Sequence, residues 1–285
     1  MSLLVSDIVK MGDLQLREAG VAEHKIEAEI LYCWLKKIDR ARFFMAWSDE
    51  ADDKTMEQYL QLIAKRCQHI PLQHLTGEQE FMGMTFDVRP DVLIPRQDTE
   101  TVVETAEKLF QGRKGDILDL CCGSGCIGVA LAHHIPKAKV TAVDSSEAAV
   151  ELTKDNANAW GIKMDVRLGN LFEPVKRKKY NMIVSNPPYI RSDVIPTLMP
   201  EVRDHEPIEA LDGGADGLDY YLQIIGLAPK HLKKEGILVL EIGNDQSAAV
   251  EQLMIETGKL CDIQTYKDLA GNDRVVSARL LGKSR

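Results

Sequence analysis

Asp119-Leu120-Cys121-Cys122-Gly123-Ser124-Gly125-Cys126-Ile127-Gly128 is the stretch on which the fold turns. Before it, Asp116 to Leu120 reads as a short buried strand. After it, Ile127 to Ile135 reads as a helix. Gly123, Gly125 and Gly128 fit a G-x-G-x-x-G spacing. Glycines at those places permit a tight turn and close approach of backbone to a ligand. Lys139 to Val143 reads as the next strand, and Asp144 ends it, 21 residues after Gly123. A carboxylate there can accept hydrogen bonds from ribose hydroxyls. The pattern signals a nucleoside-containing cofactor, with a nicotinamide or flavin dinucleotide as a fair rival at this point.

Working outward, Ser146 to Trp160 reads as a helix, Met164 to Leu168 as a third strand and Tyr180 to Ser185 as a fourth. Leu218 to Leu232 is a helix, Gly236 to Ile242 a strand and Ala248 to Thr257 a helix. Alternating strands and helices predict a parallel α/β sheet. Leu260 to Tyr266 and Arg274 to Leu281 have no room for a helix between them, so they must pair as a hairpin and end the sheet antiparallel. After the Asn186 to Tyr189 turn the chain is irregular up to Gly217 and long for a connection, a sign of function or of disorder. The basic runs Lys176 to Lys179 and Lys233-Lys234 each read as a solvated turn before an apolar strand.

Upstream, residues 1 to about 70 read as all helix. Leu3 to Ala19, His24 to Lys37 and Ala51 to His69 carry apolar residues at helical spacing. Gly20 is a stop, and Ser48-Asp49-Glu50 reads as an N-terminal cap region. Ile70-Pro71 ends the helices. Phe81 to Val88 reads as a hairpin or extended linker, and Thr99 to Phe110 as a helix capped by Asp98 or Thr99. The expected organisation is a helical docking domain at 1–72, a hairpin and linker at 73–97, and a catalytic domain at 98–285.

Composition narrows the class. The 285 residues are 45% hydrophobic and 28% charged, ordinary for a soluble globular protein. No apolar run approaches the roughly 18 residues that span a bilayer, and no signal peptide is read at the start. The six cysteines are scattered or crowded in one loop, which is not a disulfide framework, and a cytoplasmic location is expected. A net charge of −9 argues against a protein that holds nucleic acid through its phosphates.

Asn186-Pro187-Pro188-Tyr189 follows the fourth strand. Proline cannot continue a central strand, so two in a row force the chain out of the sheet at its carboxyl end, where open α/β sheets bind ligands. Asn186 precedes a proline and is held extended. Its side-chain oxygen and the Pro187 carbonyl are two acceptors, and Tyr189 adds a flat ring. Together they suit a planar –NH2 group. With the seven-strand pattern and terminal hairpin, this turn tips the cofactor to S-adenosylmethionine. Gly169-Asn170-Leu171-Phe172 ends the third strand where an adenine would lie, with Asn170 to bond the base and Leu171 to pack on it. A cysteine metal cluster at Cys121, Cys122 and Cys126 is not supported, because adjacent cysteines on one tight loop lack the C-x2-C geometry. His205 reads as a general base or as a structural histidine in a lid.

Leu93-Ile94-Pro95-Arg96 with Asp98-Thr99-Glu100, the glycine loop, Asp144, Asn186 to Tyr189, Glu206-Pro207 with Ala210-Leu211 and Gly213-Gly214, and Gly271-Asn272-Asp273-Arg274 together resemble the PrmC (HemK) family of release-factor glutamine N5-methyltransferases. The resemblance covers nearly the whole chain. It implies a Rossmann-like class I S-adenosylmethionine-dependent methyltransferase sheet preceded by a small helical domain. The implied activity is methylation of the glutamine in the Gly-Gly-Gln motif of peptide chain release factors. Carried onto this sequence, it implies catalysis at Asn186, Pro187 and Tyr189, with Pro188 also lining the substrate amide. The cofactor would be held by Cys121, Cys122, Gly123, Ser124, Gly125, Asp144, Asn170, Leu171 and Asn186. A monomer with release factors as its partner, no direct nucleic acid and no metal is expected. Cys121-Cys122 stands where the family usually has Gly-Thr, and Leu171 where it commonly has an aromatic residue. The competing readings are a nucleic-acid exocyclic-amine methyltransferase, acting on N6 of adenine or N2 of guanine, and a nucleotide-dependent oxidoreductase.

Overall fold

The computed structural model describes residues 3–111 and 114–282. The chain divides into two compact units, Met1–Glu78 with Met199–His205, and Gln79–Leu198 with Glu206–Arg285.

The first unit is helical. Its helices are α1 (Val5–Glu18), α2 (His24–Lys36), α3 (Arg40–Met45), α4 (Asp53–Arg66) and α5 (Leu72–Thr76). Ile8, Leu16, Leu31, Phe43, Tyr59 and Ile63 are fully buried and form its core. Two expectations are corrected here. The cap of α4 is Asp52, whose carboxylate accepts from the Thr55 N–H at 2.8 Å, and not Ser48-Asp49-Glu50. A side chain caps only the N–H groups two or three positions on, so the residue nearest the apolar pattern wins. Ile70-Pro71 does not end the helices either. Pro71 is the N-cap of α5, a place that suits a residue with no N–H to lose. The short helix α3, capped by Asp39, falls in a stretch the periodicity did not mark.

Arg66 is a buried cation in this unit. Its guanidinium reaches Glu27 at 2.5 Å and Glu201 at 2.9 Å, and His69 Nδ1 lies 3.0 Å from the same Glu201. Glu201 belongs to the returning segment Met199–His205, so these ion pairs help hold that segment on the helices.

The second unit begins with a two-stranded hairpin, β1 (Glu78–Phe81) and β2 (Met84–Asp87), and then α6 (Glu100–Phe110). Strands and helices then alternate: β3 (Gly115–Leu120), α7 (Cys126–His134), β4 (Ala138–Asp144), α8 (Glu147–Ala159), β5 (Asp165–Leu168), β6 (Tyr180–Ser185). After the long connection, which carries the short helix α9 (Pro200–Arg203), come α10 (Asp219–His231), β7 (Leu232–Glu241), α11 (Ser247–Glu256), β8 (Leu260–Lys267) and β9 (Asp273–Leu280). The seven-stranded sheet has the order β5-β4-β3-β6-β7-β9-β8. Strands β3 to β7 pair in parallel and β9 is antiparallel to both β7 and β8, as the terminal hairpin required. Central strands read as continuous apolar runs because helices cover both faces. Phe110, Ile117, Val129, Met182 and Val239 fill one face, and Leu118, Ile183, Ile224, Leu238 and Val250 the other.

Lys233-Lys234 is not the turn expected of it. Both residues lie in β7, whose first turn of pairing is broken by a register shift between Tyr180 and Met182 of β6. Glu235 sits there at φ 58°, and Lys233 Nζ reaches Asp116 at 2.6 Å and Asn181 Oδ1 at 2.9 Å. A bulge takes up the extra residue, so a charge pair can be read as a turn when it begins a strand.

Replacing Arg66 by Ala would leave Glu27 and Glu201 without their shared cation in a largely water-free place. Loss of one partner of a buried pair costs about 3 kcal/mol or more. Urea unfolding of Arg66→Ala is expected to show that loss, with Glu27→Gln losing less because Glu201 still pairs.

Candidate active site

The parallel strands β4, β3 and β6 end side by side, with Leu120 level with Val143 and with Ser185. Everything that leaves their carboxyl ends meets at one edge. Cys122 N donates to the Val143 carbonyl at 3.2 Å, and the Ser185 hydroxyl donates to the Leu120 carbonyl at 2.7 Å. These bonds tie the glycine loop to the strands on either side. Gly125 is the N-cap of α7 at φ 81°, and a Cβ there would lie 2.8 Å from Thr153 Cγ2. Left-handed backbone and a packed helix α8 together exclude a side chain.

Asp144 closes β4. Its Oδ2 accepts from Gly123 N and its Oδ1 from Ser146 N, each at 2.9 Å. Burial pushes the carboxyl up and these backbone N–H groups pull it down. Each oxygen keeps a second lone pair for a ligand hydroxyl. Asp119, one strand over, is fully buried with Gly128 N donating to its Oδ2 at 2.9 Å, while its Oδ1 has no hydrogen-bond partner among the described residues. Burial raises its pKa to about 8, opposed by the Gly128 bond and reinforced by Asp144. The thiols of Cys121, Cys122 and Cys126 are all pushed up by burial, Cys126 to about 12, so they are neutral small groups and not thiolates.

A cavity of about 410 Å³ opens at this edge, within the size range of small-ligand sites. Cys121, Gly123, Asp144, Asn170, Leu171, Asn186 and Pro188 line it, with Val143, Ala149 and Tyr220. Asp91, Val92, Leu93, Ser145, Ser146, Pro207, Glu209 and Ala210 complete the lining. Of the residues marked from the sequence, Cys122, Ser124, Gly125, Pro187 and Tyr189 do not line this cavity. Cys122 packs 3.4 Å from Thr153 Oγ1, and the Ser124 carbonyl accepts from Asn156 Nδ2 at 2.9 Å. Both support the loop from beneath. His205 lies in the helical unit, 3.4 Å from the Gln68 carbonyl, and is not among the cavity residues.

The Pro-Pro turn is held from behind. Asn186 Nδ2 donates to Thr99 Oγ1 at 3.2 Å. Neither Asn186 Oδ1 nor the Pro187 carbonyl takes a hydrogen bond from any described residue. The Tyr189 carbonyl accepts from Gln246 Nε2 at 3.0 Å, and the Tyr189 hydroxyl donates to Glu241 Oε1 at 3.4 Å. Burial keeps the Tyr189 phenol well above its usual range, so it stays a donor. The long connection is ordered over this turn. Ile190 N donates to Leu211 O at 2.9 Å and Gly213 N to Ile190 O at 2.8 Å. A Cβ on Gly213 would lie 2.7 Å from Tyr189 Cα, so only glycine lets the return strand pass this close. Glu206 is buried, pairs with Arg96 at 2.6 Å, and accepts from Ile94 N at 3.4 Å. That pair fastens the Leu93 wall to the Pro207 wall.

Thr99, Glu241 and Gln246 were not read as site residues. Thr99 is the N-cap residue of α6, one of the two caps expected, but its hydroxyl makes no cap bond and accepts from Asn186 Nδ2, while Asp98 pairs with Arg274 at 3.1 Å. Glu241 carried a signal in hindsight of geometry: it is the one acidic residue of the apolar run Ile237 to Ile242.

A doubly-wound sheet with a nucleoside-sized cavity at its switch point, an acidic strand end and a Pro-Pro turn beside it defines a Rossmann-like methyltransferase unit. Residues 97–199 match the methyltransferase small domain family and residues 7–77 the PrmC N-terminal domain. Among solved structures, a methyltransferase from Pyrococcus furiosus superposes with a TM-score of 0.53 at 19% identity, over 71% of this chain and 91% of that one. The chain is 40% identical to the release factor glutamine methyltransferase of Geobacter sulfurreducens, over 93% of each. It is 41% identical to that of Moorella thermoacetica, over 91% of this chain and 93% of the relative. The chain belongs to the release factor glutamine methyltransferase family.

Asp119 gives a pH test of the site. Its folded pKa lies above the ordinary carboxylate value, so the fold favours its protonated form. That contribution is present at pH 4 and is lost as pH rises through about 8. Asp119 is expected to lower the melting temperature of the wild type progressively from about pH 4 to about pH 8, and Asp119→Asn is expected to remove that contribution.

Proposed function

We propose that this protein transfers a methyl group from S-adenosylmethionine to the side-chain amide nitrogen of the glutamine in the Gly-Gly-Gln motif of peptide chain release factors. The observation that carries the reading is the pair of uncommitted acceptors, Asn186 Oδ1 and the Pro187 carbonyl, beside a nucleoside-sized cavity. An amide –NH2 has two hydrogens in one plane, and two acceptors at one turn match them. S-adenosylmethionine supplies an electrophilic methyl on a sulfonium when bound. The cavity fits its parts: Asp144 retains lone pairs for ribose hydroxyls, Val143, Ala149 and Leu171 give an apolar slot, and Asn170 edges it.

The residues then act as follows. An amide nitrogen is a weak nucleophile because its lone pair is delocalised, and it gains positive charge as a methyl is transferred to it. Asn186 Oδ1 and the Pro187 carbonyl accept its two hydrogens, stabilise that charge, and hold the nitrogen in place. Pro187 and Pro188 fix the turn, so the acceptors need no reorganisation. Tyr189 packs its ring on the amide plane. No strong base is needed beforehand, because the proton becomes acidic only after transfer.

We assign the helical domain, expected over 1–72, to docking the release factor, 73–97 to the linking hairpin and 98–285 to methyl transfer. The exposed Phe44 and Met45 of α3 support a docking role. No described helix is long and apolar enough to cross a membrane, and all six cysteines are free.

Asn186→Ala is expected to lower single-turnover methylation of a release factor by roughly 10²–10³-fold, by loss of one preorganised acceptor. Mass spectrometry of the Gly-Gly-Gln peptide after incubation with labelled cofactor reads it out. Near wild-type transfer by Asn186→Ala would reduce the turn to a strand terminator. A second measurement bears on docking. Phe44→Ala with Met45→Ala is expected to raise KM for the release factor by about thirty-fold with kcat little changed, each exposed anchor contributing on the order of 1 kcal/mol.

A further inference from the structure

A turn built on two prolines is stiff in its middle and soft at its far end. Proline fixes φ at Pro187 and Pro188, and standing before a proline keeps Asn186 and Pro187 out of the helical region. The near end is set by the sheet, because Asn186 follows Ser185, the last residue of β6. Tyr189 is the first residue of the turn whose torsions no proline restricts. Whatever holds Tyr189 therefore sets the course of the rigid piece before it, and with it the direction of the Pro187 carbonyl.

Tyr189 is held at three points. The Gly213 backbone passes so close that a Cβ there would lie 2.7 Å from Tyr189 Cα. The phenol reaches Glu241 at 3.4 Å. The carbonyl accepts from Gln246 Nε2 at 3.0 Å. This third bond comes from a side chain with no freedom left. Gln246 is 8% exposed. Its Nε2 also donates to the Gly217 carbonyl at 3.2 Å, and its Oε1 accepts from Gly243 N at 2.9 Å. A carbonyl only accepts and a backbone N–H only donates, so these three partners admit one orientation of the amide. The backbone of Gln246 is fixed as well. Its N–H donates to the Gly243 carbonyl at 3.0 Å, and its carbonyl receives Val250 N at 3.0 Å as α11 begins.

Gly217 lies at the far end of the long connection that starts after Tyr189. Its φ is 75°, and a Cβ on it would lie 2.4 Å from the Tyr189 carbonyl oxygen and 2.6 Å from Gln246 Nε2. Glycine at that place keeps both carbonyls within reach of one –NH2. A single buried amide thus closes the neck of the connection and ties it to the loop between β7 and α11.

We propose that Gln246 is a positioning residue: its –NH2 fixes the Tyr189 carbonyl and, through the proline-stiffened turn, aims Asn186 Oδ1 and the Pro187 carbonyl at the substrate amide. The inference rests on the reading that this turn receives that amide. What the place requires is a donor, and bulk alone does not serve. Gln246→Glu keeps the size but sets an acceptor-only carboxylate against two carbonyl oxygens, which repels them. Once protonated, the new carboxyl donates one hydrogen again, and burial favours that protonated form. The variant is therefore rescued as pH falls. Gln246→Met keeps the length, has no donor at any pH, and is not rescued.

The titratable and charged groups around this position are common to the wild type and both variants. Tyr189 and Tyr221 on α10 are held neutral by burial, and burial raises the carboxyl of Glu241 on β7 to about 7. Arg274 on β9 stays charged, and Asp245 precedes Gln246 in the chain. Rates are therefore compared as the ratio to wild type at each pH.

Two measurements on the full-length protein test this. The first needs no substrate. NMR follows the Ile190 backbone amide, whose peptide group carries the Tyr189 carbonyl, and the Asn186 side-chain amide, identified by its absence from Asn186→Asp. At pH 8 both signals are expected to move in Gln246→Glu and in Gln246→Met. Between pH 8 and pH 5.5 they are expected to return toward wild type in Gln246→Glu alone. The second is single-turnover methylation of a release factor at saturating cofactor. At pH 8 each variant should lose roughly 10–100-fold, because a displacement of about 1 Å at a positioned group is worth about 10²-fold. Relative to wild type, Gln246→Glu should regain about ten-fold by pH 5.5, the worth of one restored hydrogen bond, while Gln246→Met stays level. Affinity for S-adenosylhomocysteine by calorimetry should stay within about three-fold in both. A larger loss would make Gln246 a support of the whole cavity and overturn the proposal. An Asn186 signal that matches wild type in both variants would also overturn it, as would near wild-type transfer by Gln246→Met or equal pH profiles for the two variants. If the wild type does not methylate the release factor, the functional reading fails, while the NMR arm still decides whether Gln246 aims the turn.

Discussion

The site depends on the parallel pairing of β3 with β6, which sets Leu120 level with Ser185. Parallel neighbours end on the same edge of a sheet, so the glycine loop after one strand and the Pro-Pro turn after the other emerge side by side. Had the two strands been antiparallel, the loops would lie at opposite edges, a strand length apart. The Ser185 hydroxyl on the Leu120 carbonyl, at 2.7 Å, locks that level from within the core. From this adjacency follows the shape of the site, because Cys121 and Gly123 after the first strand and Asn186 and Pro188 after the second line one cavity.

Around that edge, the surrounding chain supplies rigidity more than reactivity. Asp144 is braced by two backbone N–H groups, the Tyr189 carbonyl is braced by Gln246, and Glu206 with Arg96 fastens one wall to the other. Buried acids are costly to ionise, and three of them, Asp119, Asp144 and Glu241, have raised proton affinity here. Such a concentration marks a place where the fold accepts a cost for function. Asp119 and Glu241 stand on different strands with different partners, one bonded to Gly128 N beside the glycine loop and one to the Tyr189 hydroxyl after the Pro-Pro turn. The two halves of the site therefore each carry their own buried acid.

Much of the architecture was legible because it repeats. The strands from Asp116, Lys139 and Tyr180 and the helices from Ser146 and Ala248 fall within a residue or two of their expected places. Alternating apolar runs and helical periods are local signals that central, doubly covered strands amplify. The failures are local in another sense. The bulge at Glu235 hid the start of β7 behind Lys233-Lys234, and the cap of α4 is decided by a single side-chain bond. Neither leaves a periodic trace. Thr99 misled for the opposite reason: it has the residue type of a helix cap and the place of one, yet its hydroxyl is turned to Asn186.

By itself the sequence determined the order of elements, the glycine loop, the acidic strand end and the Pro-Pro turn, because each is written in consecutive residues whose backbone restrictions do not depend on context. It could not determine which groups far apart along the chain come to face one another. Thr99 and Asn186 are 87 positions apart, and Tyr189 and Glu241 are 52 apart. Their meeting is set by strand order and register. That part of the site exists only in the tertiary structure.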